Sequence, residues 1–487
     1  MKVQYCGLSM IASCGETIKV GMKYFIIPLV LHLVFVKLYS QDNANTLSGA
    51  QVLQIVKQYH PVAKQASILI KKAKEDITIA QGNFDPLLYT GTAQKTFDGT
   101  KYYQYSRPEL TIPTWFGMEI YAGLEKLSGS RTDPTETTGE TSYVGLSIPL
   151  AKNLVIDKRR AVLQMAKIYR DACQVERRNI LNDLLLDAMK SYWNWVQQFE
   201  VYKIMTDAVL VNEKRVQLVR TAFLLGDRPA IDTVEALVQL QSLQVLQENA
   251  WMEFRNAGLE LSVFLWQDND IPVALPAGIK PADSLLSTMH SAAIPVLDEL
   301  LDATRKNHPE VLLYDLKLDA LAVEKRLKFQ ELLPNVNFRY NQLGKGYNVV
   351  KTASGSFFEN NFQYGLTIGI PLRLSAGRGE YRKAKLKITE TQLQRTLKLA
   401  QIENKVKSYH NELTALRKQV LVQEDAYKNF VALQRGEEVR FRAGESSLFL
   451  VNARENKTLE AFQKLQQLRT KYLITVSALQ WSAGLLL

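Results

Sequence analysis

The sequence predicts an exported α+β membrane protein built from two structural repeats. Four short motifs recur in the same order, alternating apolar and polar segments follow the first motif in each half, and each half contains more than 60 residues almost without proline and glycine. A repeat of about 220 residues is too long for a solenoid unit and indicates a duplicated half. The motif pairs are His60-Pro61 and His308-Pro309, Ile148-Pro149-Leu150 and Ile370-Pro371-Leu372, Lys190-Ser191-Tyr192 and Lys407-Ser408-Tyr409, and Gly226 and Gly444.

The N-terminus carries a secretory signal. Residues 22–41 give a basic start, an apolar run over 24–36, and the small residue Ser40 before Gln41. This layout is typical of a signal peptide, and the apolar run is too short to span a bilayer comfortably. We therefore predict a signal peptide over residues 1–40, with Met22 as the candidate true start. Cys14 offers an alternative, because the sequence before it is similar to a lipoprotein signal.

Composition restricts the function classes. The 487-residue chain has a formal net charge of +11 and a mean hydropathy of −0.13. Basic residues are interleaved with acids along the predicted helices, which is typical of solvated helix faces, so we predict no nucleic-acid partner. Beyond residue 40 only Cys173 remains and no run of 18 apolar residues occurs. We therefore predict no disulfide and no Cys-based metal site and, if the mature protein lies in a membrane, strands rather than helices as the spanning element. The sequence has no Gly-rich phosphate loop, no Gly-x-Ser-x-Gly and no Cys/His cluster, so we also predict no metal, no cofactor and no enzyme.

Each half begins with a helix pair. Helical patterns over residues 50–58 and 296–307 lead to the two His-Pro motifs, and second helices run from there to about 81 and 332. The residue before a proline is pushed out of the helical region, so each motif marks a corner between helices. We interpret the two histidines as corner residues and not as ligands.

Each half continues with a β section, at about residues 87–150 and 335–372. Alternation over about nine or ten residues predicts strands long enough to cross a bilayer when tilted. Aromatic residues concentrate here, as in the girdles of a barrel, although ordinary strand propensity would also explain them. The distance from the first motif to the second is 87 residues in the first half and 61 in the second, a difference of 26. We expect these 26 residues to form an extra hairpin or outer loop. The predicted strands are 87–95, 109–113, 118–126, 142–150, 335–342 and 363–372.

A long helical hairpin completes each half, at about residues 157–266 and 376–484. Each rod of 65–70 residues would be roughly 100 Å long and would turn at Gly226 or Gly444, because a sharp turn needs a residue that tolerates positive φ. Apolar spacings of three and four predict coiled-coil packing. The two repeats are thus 41–266 and 296–487, joined by a linker over 267–295 that is rich in Pro, Asp and Ser.

The order of these elements resembles the TolC-like outer membrane efflux proteins, also called outer membrane factors, over about residues 45–485. The resemblance rests on the two His-Pro corners, the two Ile-Pro-Leu strand ends and the two glycine turns. It implies a homotrimer in the cell outer membrane. Each subunit would give four strands to a shared twelve-stranded barrel in lipid, and the helices would form a coiled-coil barrel across the periplasm. The extra hairpin of the first half would lie outside that barrel.

The same resemblance implies gate residues at the periplasmic tips of the hairpins. Around Gly226 the matching positions are Phe223, Arg228, Asp232 and Glu235. Around Gly444 only the aromatic Phe441 matches, because Ser446, Leu450 and Ala453 replace the basic and acidic positions. A ring of acids favours cations in a pore, but Asp232 could equally pair or cap at a helix start.

The resemblance also implies partners. In this family the tips dock onto a periplasmic adaptor protein, which couples the duct to a proton-driven or ATP-driven inner-membrane transporter. The sequence leaves open whether the cargo consists of small toxic molecules, of metals, or of a protein exported by a type I secretion system. A further alternative is an exported coiled-coil structural or adhesion protein, although the two β sections argue against it.

Overall fold

The computed structural model describes residues 46–132, 137–276, 278–291 and 293–486. The predicted signal peptide, Met22 and Cys14 lie outside the described residues. Apart from Thr46, the described residues belong to one compact unit, Leu47–Leu487. Every feature below belongs to that unit.

Ten helices form most of the described chain. The longest are α3 and α9, with 67 and 68 residues, so each is about 100 Å long at 1.5 Å per residue. None of the described helices is both long and apolar enough to cross a membrane. The helices are α1 (Gly49–Tyr59), α2 (Pro61–Gln81), α3 (Lys158–Leu224), α4 (Ala230–Ser262), α5 (Leu285–Ser291), α6 (Leu297–Asn307), α7 (Pro309–Gln330), α8 (Val349–Ala353), α9 (Ser375–Arg442) and α10 (Leu448–Ser482).

Two histidines define the corners of the helix pairs. His60 lies between α1 and α2 with ψ of 133°, and His308 lies between α6 and α7 with ψ of 126°. Both conformations are extended, because the following proline excludes the helical region. Each ring caps the next helix, since Nδ1 accepts a hydrogen bond from the backbone N–H of Val62 or Glu310 at 3.2 Å. Burial lowers the pKa of both histidines, and His308 is the more deeply buried of the two.

Six strands form one antiparallel sheet in which the spatial order equals the chain order. The turn between the first two is Asp98-Gly99, where both residues have positive φ, as a two-residue hairpin turn requires. The fourth and fifth strands pair directly although the two long helices of the first hairpin separate them in the chain. The strands are β1 (Leu87–Phe97), β2 (Thr100–Pro113), β3 (Glu119–Ser128), β4 (Gly139–Pro149), β5 (Asn335–Lys345) and β6 (Phe362–Gly369).

The sheet corrects the predicted β section in two respects. The extra hairpin of the first half does not lie apart: all six strands are joined, where the resemblance implies four per copy. β2 begins at Thr100 and not at residue 109, because its pairing with β1 continues to the turn. The second Ile-Pro-Leu motif, Ile370-Pro371-Leu372, follows its strand instead of ending it. β6 stops at Gly369, because its partner strand starts at Asn335, the residue opposite.

The main core lies where the long helices pack against the helix pairs. Trp195 and Tyr192 of α3 are fully buried there, and the Tyr192 hydroxyl donates to Asp283 at 2.7 Å. Burial and the neighbouring carboxylate raise the pKa of Tyr192. The segment predicted as a linker takes part in this core, since Leu285 and Met289 of α5 are buried in it. A Pro- and Ser-rich segment can therefore still supply core residues at its apolar positions.

Candidate functional site

The two long hairpins turn at glycines, and the turns define two tips: the first tip, residues 223–235, and the second tip, residues 441–453. Gly226 has φ of +81° and Gly444 has φ of +79°. In each turn the next residue donates its N–H back to a carbonyl of the helix just ended, from Asp227 to Ala222 and from Glu445 to Arg440. Such turns satisfy the last helix carbonyls and need a left-handed residue. Among the described residues, and leaving aside the two chain neighbours, no atom lies within 4 Å of a Cβ placed on either glycine. Backbone conformation alone therefore demands glycine.

The structure brings predicted residues of the two tips together. The Arg228 guanidinium lies over the Phe441 ring, 4.1 Å from its centroid, and Nη2 donates to the Phe441 carbonyl at 2.7 Å. Asp232, in the first turn of α4, is 3.8 Å from Arg228 in an ion pair. The basic residue of one tip thus binds the aromatic residue of the other. The sequence leaves two interpretations of Asp232, a ring of acids and a pair at a helix start. Within this chain Asp232 makes the pair, with Arg228.

Glu235 lies one turn further along α4. Its pKa is raised by burial and by the nearby Asp232 carboxylate, and a hydrogen bond with Asn452 of the second tip opposes that rise. Phe223 is 40% exposed and therefore stays accessible at the first tip. These two side chains take no part in the Arg228 contact.

A charge cluster that sequence reasoning missed lies next to the second tip. Ser446 donates to the buried carboxylate of Glu437, which also lies 3.7 Å from Arg440 and from Arg454. In the family resemblance Ser446 stands only as the residue that replaces a basic one. The available signal was Arg440, three residues after Glu437 on the same helix, but such spacing is common on solvated helices.

Behind the tips a buried ion pair joins the two hairpins. Arg215 of α3 and Glu455 of α10 are 2.7 Å apart, with side chains 12% and 5% exposed. Asn212 also donates to the same carboxylate, and Glu438 lies 3.7 Å from the guanidinium. Buried charges require such pairing. A groove of about 390 Å³ adjoins this pair. It is lined by apolar residues of both hairpins, among them Leu218 and Phe441, and by charged residues, among them Lys214, Arg228 and Arg442.

The first Ile-Pro-Leu motif lies where the sheet meets the helices. Ile148 and Pro149 are the last residues of β4, and the Leu150 N–H donates to the Val336 carbonyl at 2.7 Å. In the second motif Leu372 is 99% exposed. The two motifs therefore differ in environment, although their sequences are the same.

The sheet has one polar and one apolar face. Successive residues of a strand point to opposite faces, and opposed residues share one. Register therefore puts most charged side chains of the middle strands on the polar face and most aliphatic ones on the apolar face, although Tyr340 and the paired Lys126 and Glu140 lie on the apolar face. The polar face includes Arg107, Glu109, Tyr121, Tyr143 and Arg339; the apolar face includes Leu88, Leu110, Ile120, Leu146, Phe338, Leu366 and Ile368.

The polar face carries a connected network. Arg107 Nε donates to the Tyr143 hydroxyl at 2.8 Å, and that hydroxyl donates to Glu109 at 2.5 Å. Arg339 lies 3.5 Å from the same carboxylate, and its guanidinium is 4.5 Å from the Tyr121 ring centroid. Oppositely charged groups and tyrosines thus alternate across the face, which makes it compatible with water and not with lipid.

No protein-family model and no curated protein sequence matches the chain. Solved structures do match its fold. A membrane protein from Pseudomonas aeruginosa superposes with a TM-score of 0.62 at 12% identity, covering 89% of this chain and 92% of that one. The open state of the MtrE outer membrane channel of Neisseria gonorrhoeae gives 0.61 at 14% identity, covering 90% and 89%.

The CmeC outer membrane channel of Campylobacter jejuni gives a TM-score of 0.60 at 13% identity, covering 92% of this chain and 90% of that chain. The similarity therefore extends over nearly the whole length of each protein. The chain has the fold of outer membrane channels, which confirms at the level of the fold its resemblance to the TolC-like outer membrane efflux proteins.

Proposed function

We propose that the protein is a passive channel of the cell outer membrane, which three copies assemble by sharing one β-barrel and one helical tunnel across the periplasm. The observation that carries this proposal is a sheet with one apolar and one polar face, continued by helices of 67 and 68 residues. The apolar face would contact outer-membrane lipid, and the polar face would line the pore.

The edges of the sheet support the proposed assembly from several copies. An open sheet edge leaves backbone N–H and C=O groups without partners, and in hydrocarbon each such group costs several kcal/mol. Within the described residues the sheet does not pair its first strand with its last. A single copy would therefore expose two edges, whereas strands shared between copies satisfy them.

We further propose that the two tips dock onto a periplasmic adaptor protein, which couples the duct to an inner-membrane transporter. The helices of the hairpins are long enough to extend about 100 Å. At their tips side chains of the two halves contact each other, as Arg228 does Phe441. A duct transduces no energy, so the transporter chooses the cargo. Small-molecule or metal efflux and type I protein secretion would use the same duct, with the tips as the coupling site in both.

Purification and conductance measurements test the channel. The full-length protein, expressed with its signal, should be found in outer-membrane fractions as a heat-modifiable trimer and should conduct ions in planar bilayers. A monomeric, non-conducting soluble product would instead support an exported coiled-coil structural protein.

Adjacent residues of β6 provide a matched pair for the membrane assignment. Leu366 lies on the apolar face and Thr367 on the polar face, and both are exposed in the single chain. Leu366→Lys should lower trimer yield in the outer membrane severalfold, because a lysine facing the bilayer midplane costs about 2–4 kcal/mol. Thr367→Lys should leave the yield unchanged. Equal yields of the two variants would contradict the assignment of the faces.

A further inference from the structure

The two outer strands of the sheet are complementary edges. β1 and β6 are antiparallel to each other, because six antiparallel strands in succession separate them by an odd number of steps. β1 has 11 residues, all but one of them exposed, and all eight residues of β6 are exposed. Among the described residues neither outer edge has a strand partner. β1 of one copy can therefore pair with β6 of another in the geometry used throughout the sheet.

The faces also match across such a junction. At one edge of the apolar face β1 presents Leu88, which is 73% exposed. At the opposite edge β6 presents Leu366 and Ile368, which are 53% and 60% exposed. Beyond Leu88 the same face of β1 carries Thr90, Thr92 and Gln94. A register that places Leu88 beside Leu366 or Ile368 therefore joins the apolar side chains of the two copies, as a bilayer-facing surface requires.

The polar network attaches the β1–β2 hairpin to the rest of the sheet. Arg107 and Glu109 belong to β2, yet both contact Tyr143 of β4, two strands away. Gly123 of β3 lies between them, and a Cβ atom there would collide with the Tyr143 ring. Glu109 reaches further still, to Arg339 of β5. Moving β2 out of the sheet would break the contacts with Tyr143 and Arg339. Arg107 and Glu109 would keep each other as an ion pair, 3.1 Å apart, but Arg339 would lose the Glu109 carboxylate, which is costly for a partly buried charge.

We propose that all six strands of each copy enter the barrel and that β1 of one copy pairs with β6 of the next. This inference rests on the proposed trimeric channel. Three copies of six strands give an eighteen-stranded barrel, where four strands per copy would give twelve. Barrels of 16–18 strands enclose a water-filled lumen. The polar network lines that lumen, and the narrowest part of the duct lies at the helical tips.

Cysteine crosslinking in outer-membrane trimers tests the junction, in a Cys173→Ser background. Because faces must match, Leu366→Cys on β6 is paired with each apolar-face position of β1, which covers the possible registers. The competing closure, with β6 against β3, is probed in the same way. The first panel combines Leu366→Cys with Leu88→Cys, Thr90→Cys, Thr92→Cys or Gln94→Cys; the second combines it with Ile120→Cys, Ala122→Cys or Leu124→Cys.

Two pairs of opposed residues within one chain report whether the β1–β2 hairpin stays in the sheet. Leu110 lies opposite Ala122 across β2 and β3, and Ala122 lies opposite Val144 across β3 and β4. Cysteines at each pair should form a disulfide within the chain, measured as loss of thiol labelling. A disulfide between positions 122 and 144 would also exclude a twelve-stranded closure in which β1 pairs with β4 and the β2–β3 hairpin leaves the sheet.

The expected result is oxidant-dependent dimers and trimers from at least one pair of the first panel, none from the second, and a disulfide at both internal pairs. Crosslinks from the second panel, failure of every pair in the first, or free thiols at either internal pair in assembled trimers would overturn the eighteen-strand closure and leave the channel standing. Absence of trimers from the outer membrane in the Cys173→Ser parent and in the unaltered protein would overturn the channel itself.

Discussion

The guanidinium of Arg228 on the first hairpin lies 4.1 Å from the ring centroid of Phe441 on the second and donates to the carbonyl of the same residue. One side chain thus makes a cation–π contact and a backbone hydrogen bond across the two tips. Opening the tips by separating the hairpins would break both interactions. We therefore expect this contact to stabilise the closed arrangement of the proposed duct.

Replacing Arg228 should widen the tip. A partly exposed cation–π contact contributes about 1 kcal/mol, so its loss should change the ratio of open to closed tips about fivefold. Arg228→Ala should therefore raise single-channel conductance or open time in planar bilayers. Arg220→Ala, at an exposed position near the end of α3, should behave like the unaltered protein. Unchanged conductance of Arg228→Ala would exclude this contact as a closing element.

Valine at Gly444 should impair transport but not assembly. The φ of +79° is left-handed, and a β-branched residue there costs about 1–2 kcal/mol, so the turn that we propose for adaptor docking would change shape. The trimer should form normally while cellular efflux falls. Gly436→Val is the matched control, because Gly436 lies inside α9 with open space around its Cβ position. Normal efflux by Gly444→Val would reject the docking role of this tip.

The corner histidines should make stability depend on pH. The rings of His60 and His308 accept a backbone hydrogen bond, so they must be neutral, and burial lowers the pKa of both below 6.5 in the folded state. Their stabilisation is complete above pH 6.5 and decreases as the pH falls, because the unfolded histidines bind protons first. Each lost cap costs about 1 kcal/mol.

Thermal unfolding at pH 7.5 and 5.5 measures this effect. Asparagine caps a helix without titrating, so the double variant His60→Asn, His308→Asn should show a smaller decrease in unfolding temperature than the unaltered protein. His290→Asn, at an exposed histidine, should leave the decrease as it is. The same decrease in the double variant would show that other groups cause it.

Breaking the buried pair behind the tips should separate the hairpins. Removing one partner of a buried ion pair costs about 3–5 kcal/mol, because the other charge stays buried. Arg215→Met and Glu455→Met should each destabilise strongly, and the double variant should cost much less than the sum. The exposed pair Lys190–Asp187, 2.9 Å apart, should give a coupling energy below about 1 kcal/mol in the same cycle. Additive effects at Arg215 and Glu455 would contradict the coupling.

Local rules let the sequence by itself determine much of the secondary structure. A proline restricts the residue before it, so the corners at His60 and His308 were predictable. A long segment without proline and glycine has no reason to break, and a left-handed turn requires glycine, so the long helices and the turns at Gly226 and Gly444 were predictable too. Alternation likewise placed most strands. Each of these signals acts over a few residues.

Tertiary structure alone decided which strands and side chains meet. The sequence predicted an extra hairpin or outer loop but not that it joins the sheet, because alternation says which face a residue takes and not which strand lies beside it. The contacts of Arg107 with Tyr143, of Arg228 with Phe441 and of Arg215 with Glu455 join residues 36, 213 and 240 positions apart. Their partners are selected by packing of whole elements, which no local pattern in the sequence records.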